Sequence, residues 1–379
     1  MSERKLFEEQ TTASPSAGTA QTREHGLISK DTSGARRGIR IWLVLLFGLV
    51  ASMIAVGGLT RLTDSGLSIT EWRPITGAVP PLNAEDWQSE FEKYRQIPEY
   101  QLQNKGMSLS EFKFIYWWEW GHRQLGRFVG LVWLVGFVWL WAKGALTGPW
   151  LKRGVILGAL GGSQGAVGWW MVHSGLGGEM LDVASYRLAT HLCLAFIILG
   201  VIAWYYFDAA RAGHENLTAR RARHDNMMRW SGIVAAVLFF QIFLGALVAG
   251  IDAGRNYTDW PLMAGAFLPP EPLWMEPVWR NFFENDGLVQ FMHRMSGYFV
   301  AIVALIYVFK FRKISAFTAR LNLFGLVLVA QIVLGIITVM NSSPMELALP
   351  HQLLAVFLWV SVLYSRYGAA YPPARSVRD

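Results

Sequence analysis

The run IWLVLLFGLVASMIAVGGLT, residues 41–60, contains no Asp, Glu, Lys or Arg. About 20 apolar residues in a helix cross the hydrocarbon core of a bilayer, so this run predicts a membrane span. Seven further charge-free runs of 15 to 25 residues follow it: Phe128–Ala142, Gly154–Gly178, Leu188–Phe207, Trp230–Ile251, Met295–Phe309, Leu321–Met345 and Leu347–Ser365. The two shortest runs lengthen to 118–142 and 287–309 with their preceding turns. The sequence therefore predicts an all-α integral membrane protein with eight transmembrane helices.

The composition of the 379-residue chain excludes several classes of protein. Hydrophobic residues make up 53% of it and charged residues only 16%, against about 25% charged in a soluble domain. So few charges cannot cover a water-soluble globule, which excludes a cytosolic enzyme and a disordered protein. The single cysteine, Cys193, excludes an intramolecular disulfide and a multi-thiolate metal site.

The basic residues indicate the orientation of the chain in the membrane. They gather near both termini and in the loops after spans two, four and six, whereas 174–186 and 341–348 contain none. Because cytoplasmic loops carry the excess of Lys and Arg, both termini are predicted on the cytoplasmic (or matrix) side of the membrane. The formal net charge of +7 is spread between apolar runs rather than gathered in one patch, so no nucleic acid is expected as a partner.

Two short motifs recur in the same order in the two halves of the chain. The motif HRxxG begins at His122 in span two and at His293 in span six. The motif QxxxG begins at Gln164 in span three and at Gln331 in span seven. Since each repeat has an even number of spans, both halves share one orientation, and a pseudo-twofold axis along the membrane normal is expected to relate them.

The repeat predicts two tandem four-helix bundles, residues 40–207 and 230–366, joined by a basic cytoplasmic linker at 208–229. Residues 1–39 and 367–379 are expected to form cytoplasmic tails, the first of them disordered. The first bundle has the longer outer loop, 61–118, whose composition fits a partly helical lid and a plain loop equally well.

Four of the eight histidines take matching positions. His122 and His293 are expected in the first turns of spans two and six, and His191 and His351 within the first turn or so of spans four and eight. One intramembrane histidine most often makes an interhelical hydrogen bond, but two symmetric pairs at one depth favour a metal or haem site. A zinc site usually has three or four protein ligands, whereas haem iron accepts one or two axial ligands. Each half offers two histidines, so the pairs favour haem.

Charged residues beside these histidines differ between the halves. Arg123 and Arg294 follow two of the histidines and are candidate partners for haem carboxylates, with snorkelling to the membrane interface as an equal alternative. Glu119 stands three residues before His122, on the same helix face, whereas Gln290 takes the matching place in the second half. This asymmetry predicts a reactive first half and an electron-transfer or structural haem in the second. An interfacial ion pair between Glu119 and an arginine remains the alternative.

The motifs GGLTRLT at 57–63, SGLS at 65–68, EWRP at 71–74 and EWGHR at 119–123 together resemble the haem A synthase family, in its proteobacterial and mitochondrial form. The resemblance covers residues 40–366. It implies oxidation of the C8 methyl group of haem O to a formyl group by two successive hydroxylations, giving haem A for terminal oxidases.

The same resemblance implies the roles of the site residues. Glu119 would be catalytic, His122 and His191 would bind the substrate haem iron, and His293 and His351 would ligate a haem b. Some members of the family carry a cysteine pair in the first outer loop, which this chain lacks. Expected partners are haem O, the membrane, haem O synthase and an electron donor such as ferredoxin, and a homo-oligomer is compatible with the sequence.

Two other classes of protein remain open from the residues alone. A dihaem b-type cytochrome that exchanges electrons with quinone explains the four histidines, but it gives no reason for the difference between Glu119 and Gln290. A transporter with parallel repeats explains the duplication, but it leaves the two histidine pairs without a purpose.

Overall fold

A computed structural model describes residues 32–177, 180–211 and 219–372. This part of the chain contains helices and no β-strand. Its eight long helices are each long and apolar enough to cross a membrane: α1 (Thr32–Leu62), α2 (Leu109–Ala142), α3 (Pro149–Val172), α4 (Ser185–Ala209), α5 (Asp225–Gly250), α6 (Asp286–Phe311), α7 (Ser315–Met340) and α8 (Met345–Ala370). The predicted all-α membrane architecture with eight spans is confirmed. The predicted tails at 1–31 and 373–379 lie outside the described residues.

Several helices extend beyond the charge-free runs that predicted them. The largest extension is at α2, which begins at Leu109 rather than near residue 118. The Ser108 side chain accepts from the Glu111 amide, and the Glu111 carboxylate accepts from the Ser108 amide at 2.8 Å, which forms a capping box. Charged residues in the first turns of α2 hid this start. Likewise, α1 begins at Thr32 instead of residue 40, and α5 begins within the predicted linker.

The long helices pack in the same pattern in each half. In the first half α1 contacts α2, α2 contacts α3, α3 contacts α4 and α4 contacts α1. The second half repeats this ring with α5, α6, α7 and α8, and the halves meet where α4 contacts α5 and α8 and where α1 contacts α8. These pairings are compatible with the predicted duplication, and the pseudo-twofold axis stays a prediction.

The interface between the halves contains polar contacts as well as apolar packing. The Trp359 indole donates to the Phe196 carbonyl at 3.0 Å, and the Gln352 amide donates to the Ile54 carbonyl at 2.9 Å. Lipid removes most of the hydrophobic driving force between helices, so close packing and such interhelical hydrogen bonds hold the halves together.

We call residues 63–108, between α1 and α2, the outer cap, and we use "outer" for the side of the helix bundle on which these residues lie. The cap contains the short helices Ala84–Tyr94 and Pro98–Leu102. It has an apolar core shared with the outer ends of α2 and α3 and with the loop before α4: Leu67, Ile69, Trp87, Phe91, Tyr94, Ile97, Phe112, Ile115, Tyr116, Val172 and Val183. The first outer loop is therefore a packed helical layer.

One guanidinium group ties the cap to both halves. Arg61, at the end of α1, is largely buried and pairs with Asp64 of the cap at 2.8 Å. It also pairs with Asp182, from the loop before α4, at 3.3 Å and with Asp252, from the loop after α5, at 2.9 Å. Three outer segments thus converge on a single side chain.

Tight packing of α1 against α2 makes a first testable prediction. A Cβ atom at Gly136 would lie 2.2 Å from Trp42 Cδ1, and the Trp42 indole is held by a 3.3 Å hydrogen bond to the Val132 carbonyl. Overpacking a fitted contact costs roughly 1–3 kcal/mol. We expect Gly136→Ala to lower the thermal melting temperature of the purified protein in detergent. Gly130→Ala is the control, since nothing lies within 4 Å of its Cβ position, and equal melting of the two variants would contradict the contact.

A second prediction concerns Glu99 in the cap. Its side chain is buried, Oε1 accepts from the Tyr94 hydroxyl at 3.2 Å and the Asn104 amide at 3.3 Å, and Oε2 has no partner among the described residues. Burial raises the pKa of Glu99 to about 8. Between pH 4.5 and about 8, Glu99 therefore keeps its proton in the folded cap, whereas the same carboxyl group in the unfolded chain has released it.

Stability of the cap should therefore fall as the pH rises from about 4.5 towards 8, by at most about 1.4 kcal/mol per pH unit. Hydrogen exchange of residues 84–94, corrected for the intrinsic pH dependence, measures this loss. Glu99→Gln mimics the protonated form and should flatten the profile across that range. A profile that is equally steep in the variant would contradict the assignment to Glu99.

Candidate functional site

The structure brings the four matching histidines together as two pairs. His122 on α2 and His191 on α4 lie close enough to interact electrostatically, as do His293 on α6 and His351 on α8. The prediction that His122 lies in the first turn of its helix is wrong, because α2 begins 13 residues earlier, at Leu109. His293 also lies deeper than its helix's first turn, since α6 begins at Asp286.

Each of the four imidazole rings lies against a glycine of the preceding long helix. A Cβ atom on these glycines would approach the nearest ring atom to 3.2, 2.8, 3.0 and 2.8 Å, so a larger residue would displace the ring. In chain order of the histidines, the pairs are Gly57 with His122, Gly168 with His191, Gly245 with His293 and Gly335 with His351. The glycines thus set how closely each ring approaches the neighbouring helix.

Three of the rings also contact a glutamine amide, which stands four residues before the glycine. Each Nε2 atom lies 3.0 to 3.4 Å from the ring nitrogens and donates to the histidine's backbone carbonyl at 3.0 to 3.1 Å. The pairs are Gln164 with His191, Gln241 with His293 and Gln331 with His351. The sequence analysis identified QxxxG in spans three and seven and missed Gln241-x-x-x-Gly245 in span five, although the signal was present.

These residues fit haem iron with imidazole ligands. An imidazole bound to iron through one nitrogen carries an N–H on the other, which needs an acceptor. The Oε1 atoms of Gln164, Gln241 and Gln331 are buried and have no hydrogen-bond partner among the described residues. Each can serve as that acceptor after an amide rotation, which exchanges the hydrogen bond from Nε2 to the histidine's carbonyl for one from the ring. The same part of the chain holds no group of three or more His, Cys, Asp or Glu residues that could bind a metal ion.

Glu119 lies one helical turn before His122 and meets only hydrogen-bond donors. It is 3% exposed. Its Oε2 atom accepts from the Ser68 hydroxyl and the Ile69 amide, both at 2.7 Å. Its Oε1 atom accepts from Arg123 Nε at 3.0 Å and Nη2 at 2.6 Å. The carboxylate therefore fastens the cap to α2 beside the first histidine pair.

Gln290 makes the corresponding contacts in the second half. Its Nε2 atom donates to the Ala253 carbonyl at 2.7 Å and the Asn256 carbonyl at 2.6 Å, and its Oε1 atom accepts from Arg294 at 2.9 Å. Both positions thus hold the outer loop that follows the first helix of their half. Only the first half does so with a formal negative charge.

Arg123 and Arg294 are also engaged with outer loops. Arg123 donates to the carbonyls of Ile69 at 2.8 Å and Glu71 at 3.0 Å in addition to Glu119. Arg294 donates to the carbonyls of Tyr257, Asp259 and Leu262 and to Gln290. Each guanidinium group has one N–H left over, so a contact with a haem carboxylate stays a prediction.

The cap closes over the first half from the outside. Trp72 of the cap stacks on Trp169 of α3, with ring centroids 5.8 Å apart. Between the cap and α2 lies a cavity of about 430 Å³, lined in part by Arg73, Lys93, Arg123 and Arg127. Glu71, Asp86 and Glu90 line the same cavity, so the first site has a polar chamber of mixed charge on its outer side.

Comparison with known proteins shows the family to which this sequence is similar. Residues 40–363 match the family COX15-CtaA, described as a cytochrome oxidase assembly protein. The heme A synthase of Dinoroseobacter shibae is 55% identical over 378 residues, which are 99% of this chain and 98% of that protein. The heme A synthases of Ruegeria sp. (strain TM1040) and Paracoccus denitrificans are each 52% identical, over 383 and 385 residues, covering 100% of this chain and 99% or more of theirs.

The match to the first of these proteins covers 99% of this chain. It therefore includes all eight membrane-spanning helices and all four paired histidines. This chain belongs to the haem A synthase family.

Proposed function

We propose that this protein oxidises the C8 methyl group of haem O to a formyl group and so produces haem A for terminal oxidases. The observation that carries the proposal is the pair of histidine sites with a carboxylate, Glu119, beside only the first. The full-length likeness to heme A synthases supports the same activity.

In this proposal the two histidine pairs have different tasks. His122 and His191 would hold the iron of the substrate haem, and His293 and His351 would hold a haem b. Haem b, when bound, supplies one-electron transfer. Each half therefore offers two imidazoles to one iron.

The residues around the first pair position the substrate and shield it. The cap covers the first half on its outer side, and Arg123 holds the cap on α2 through the Ile69 and Glu71 carbonyls. Glu119 places a fixed negative charge, already held by four hydrogen bonds, one turn from His122. Such a preorganised charge stabilises positive charge that develops on the substrate. The one spare N–H of Arg123 and of Arg294 is available to a haem carboxylate.

The remaining assignments follow from the same proposal. The protein lies in a bacterial inner membrane with both termini in the cytoplasm, and residues 40–207 and 230–366 form its substrate and haem b halves. Haem O synthase would deliver the substrate, and a donor such as ferredoxin would supply electrons, with a homo-oligomer compatible with this assembly. The basic ends of the helices support the orientation.

The activity can be tested in cells that make haem O and lack a haem A synthase of their own. We expect expression of this chain to yield haem A among haems extracted from the membranes and separated by chromatography. His122→Ala should abolish haem A while the purified protein keeps its haem b. His293→Ala should lower the haem b bands in a reduced-minus-oxidised spectrum.

Two results would contradict the proposal. Haem O as the sole extracted product of the wild-type chain would exclude the activity. An unchanged haem content in His293→Ala would exclude the second-half assignment.

Glu119→Gln tests the carboxylate. The variant amide would turn an NH₂ group towards donors such as the Ser68 hydroxyl and the Ile69 amide, and it would remove the negative charge. We expect haem A formation to fall by about a hundredfold or more, with haem b retained. The matched control is Gln290→Glu in the second half, which should leave the first site intact. Undiminished haem A formation by Glu119→Gln would remove the charge from the mechanism.

A further inference from the structure

One histidine of the four lacks the glutamine that the others have. Four residues before each of the histidine-facing glycines stand Met53 on α1, Gln164 on α3, Gln241 on α5 and Gln331 on α7. The odd-numbered helices therefore repeat one motif four times, and α1 alone carries a thioether in place of the amide.

Met53 takes the place of the amide in space as well as in sequence. The Met53 Cε atom lies 3.6 Å from the position of a Cβ on Gly126, one turn after His122. In the second half, Gln241 Nε2 lies 3.3 Å from the position of a Cβ on Gly297. The two side chains have nearly the same length, so they reach corresponding points beside corresponding helices.

The consequence for His122 is the loss of a hydrogen-bond partner. A thioether is only a weak acceptor and cannot donate. Within the described ranges no side chain forms a hydrogen bond with the His122 ring, whereas each of the other three rings contacts its glutamine. The His122 ring also turns a different edge to its glycine, with Nε2 nearest at 3.2 Å, while the others present Cε1.

An acceptor on the second ring nitrogen matters to an iron ligand. It fixes the orientation of the ring and raises the basicity of the coordinating nitrogen, and its removal typically costs about 10- to 100-fold in metal affinity. In the second half, Gln241 and Gln331 turn Nε2 to the ring, and each can supply such an acceptor through its unpartnered Oε1 once the amide is rotated. The first half has one only for His191.

We propose that His122 is the weak, exchangeable axial ligand of the substrate haem and that Met53 makes it so by withholding an acceptor. His191, supported by Gln164, is then the firm ligand at that site. The inference rests on the proposed function, since it takes the first pair as the substrate site. It explains how one fold retains a haem permanently in one half and releases a haem in the other.

Carbon monoxide is a probe for the exchangeable ligand, because it binds ferrous haem only where an axial position opens. Protein would be purified from cells that make haem O, kept anaerobic and reduced, and mixed rapidly with carbon monoxide. In the wild type we expect the first-site haem to bind the gas and the second-site haem to resist it. Met53→Gln should slow the first-site binding about 10- to 100-fold and should increase the haem O and haem A that copurify.

Two variants separate the missing acceptor from the shape of the side chain. Met53→Leu is apolar and cannot accept, so it should bind carbon monoxide at the wild-type rate. Gln241→Met removes the acceptor from His293 and should make the second-site haem reactive or more readily lost. The haem b content of the position-53 variants reports whether the second half has folded.

The outcomes distinguish this inference from the proposed function. A wild-type chain that forms no haem A would overturn the function itself. Haem A formation together with unchanged carbon monoxide binding in Met53→Gln would overturn only the inference. Slowed binding in Met53→Leu as well would also overturn it, because the effect would then come from loss of the methionine rather than from gain of an acceptor.

Discussion

The contact between an imidazole ring and a glycine on the neighbouring helix is the constraint on which both halves of this protein depend. Each ring lies so close to its glycine that a Cβ there would meet it at 2.8 to 3.2 Å. That closeness sets the separation of the paired helices and directs two histidines of each half into one space. At His191, His293 and His351, the glutamine one turn before the glycine is in reach of the ring for the same geometric reason. Packing and ligand placement are therefore one arrangement.

On the outer side of the histidines, one residue pair in each half holds an outer loop. Glu119 with Arg123, and Gln290 with Arg294, bind the backbone that follows the first helix of each half. Because these pairs lie within a turn of a histidine, the position of the loop and the position of the ring are mechanically linked. The first half adds the cap, with its own apolar core, to this common scheme.

The helices were predictable because charge-free length is a strong signal in a membrane protein, and the repeated HRxxG and QxxxG motifs already aligned the four histidines. The start of α2 could not be predicted, because a capping box at Ser108 extends the helix through charged residues outside the apolar run. The hydrogen-bond partners of Glu119 could not be predicted either, since its donors Ser68 and Ile69 are about 50 positions away in sequence. The Gln241 motif was readable, but its meaning required the ring contacts.

Departures from the repeat converge on a single residue. Around His191, His293 and His351 the glycine and the glutamine are the same, and in the proposed scheme a site built from two such units holds its haem firmly. His122 differs in three respects: Met53 replaces the amide, Glu119 replaces the neutral Gln290, and the cap lies on the outer side. A weaker ligand without a local charge would only lose its haem, and a charge without a weaker ligand would act on a haem that never leaves. In the proposed function, turnover of a haem substrate would use both changes, and both stand beside the same histidine.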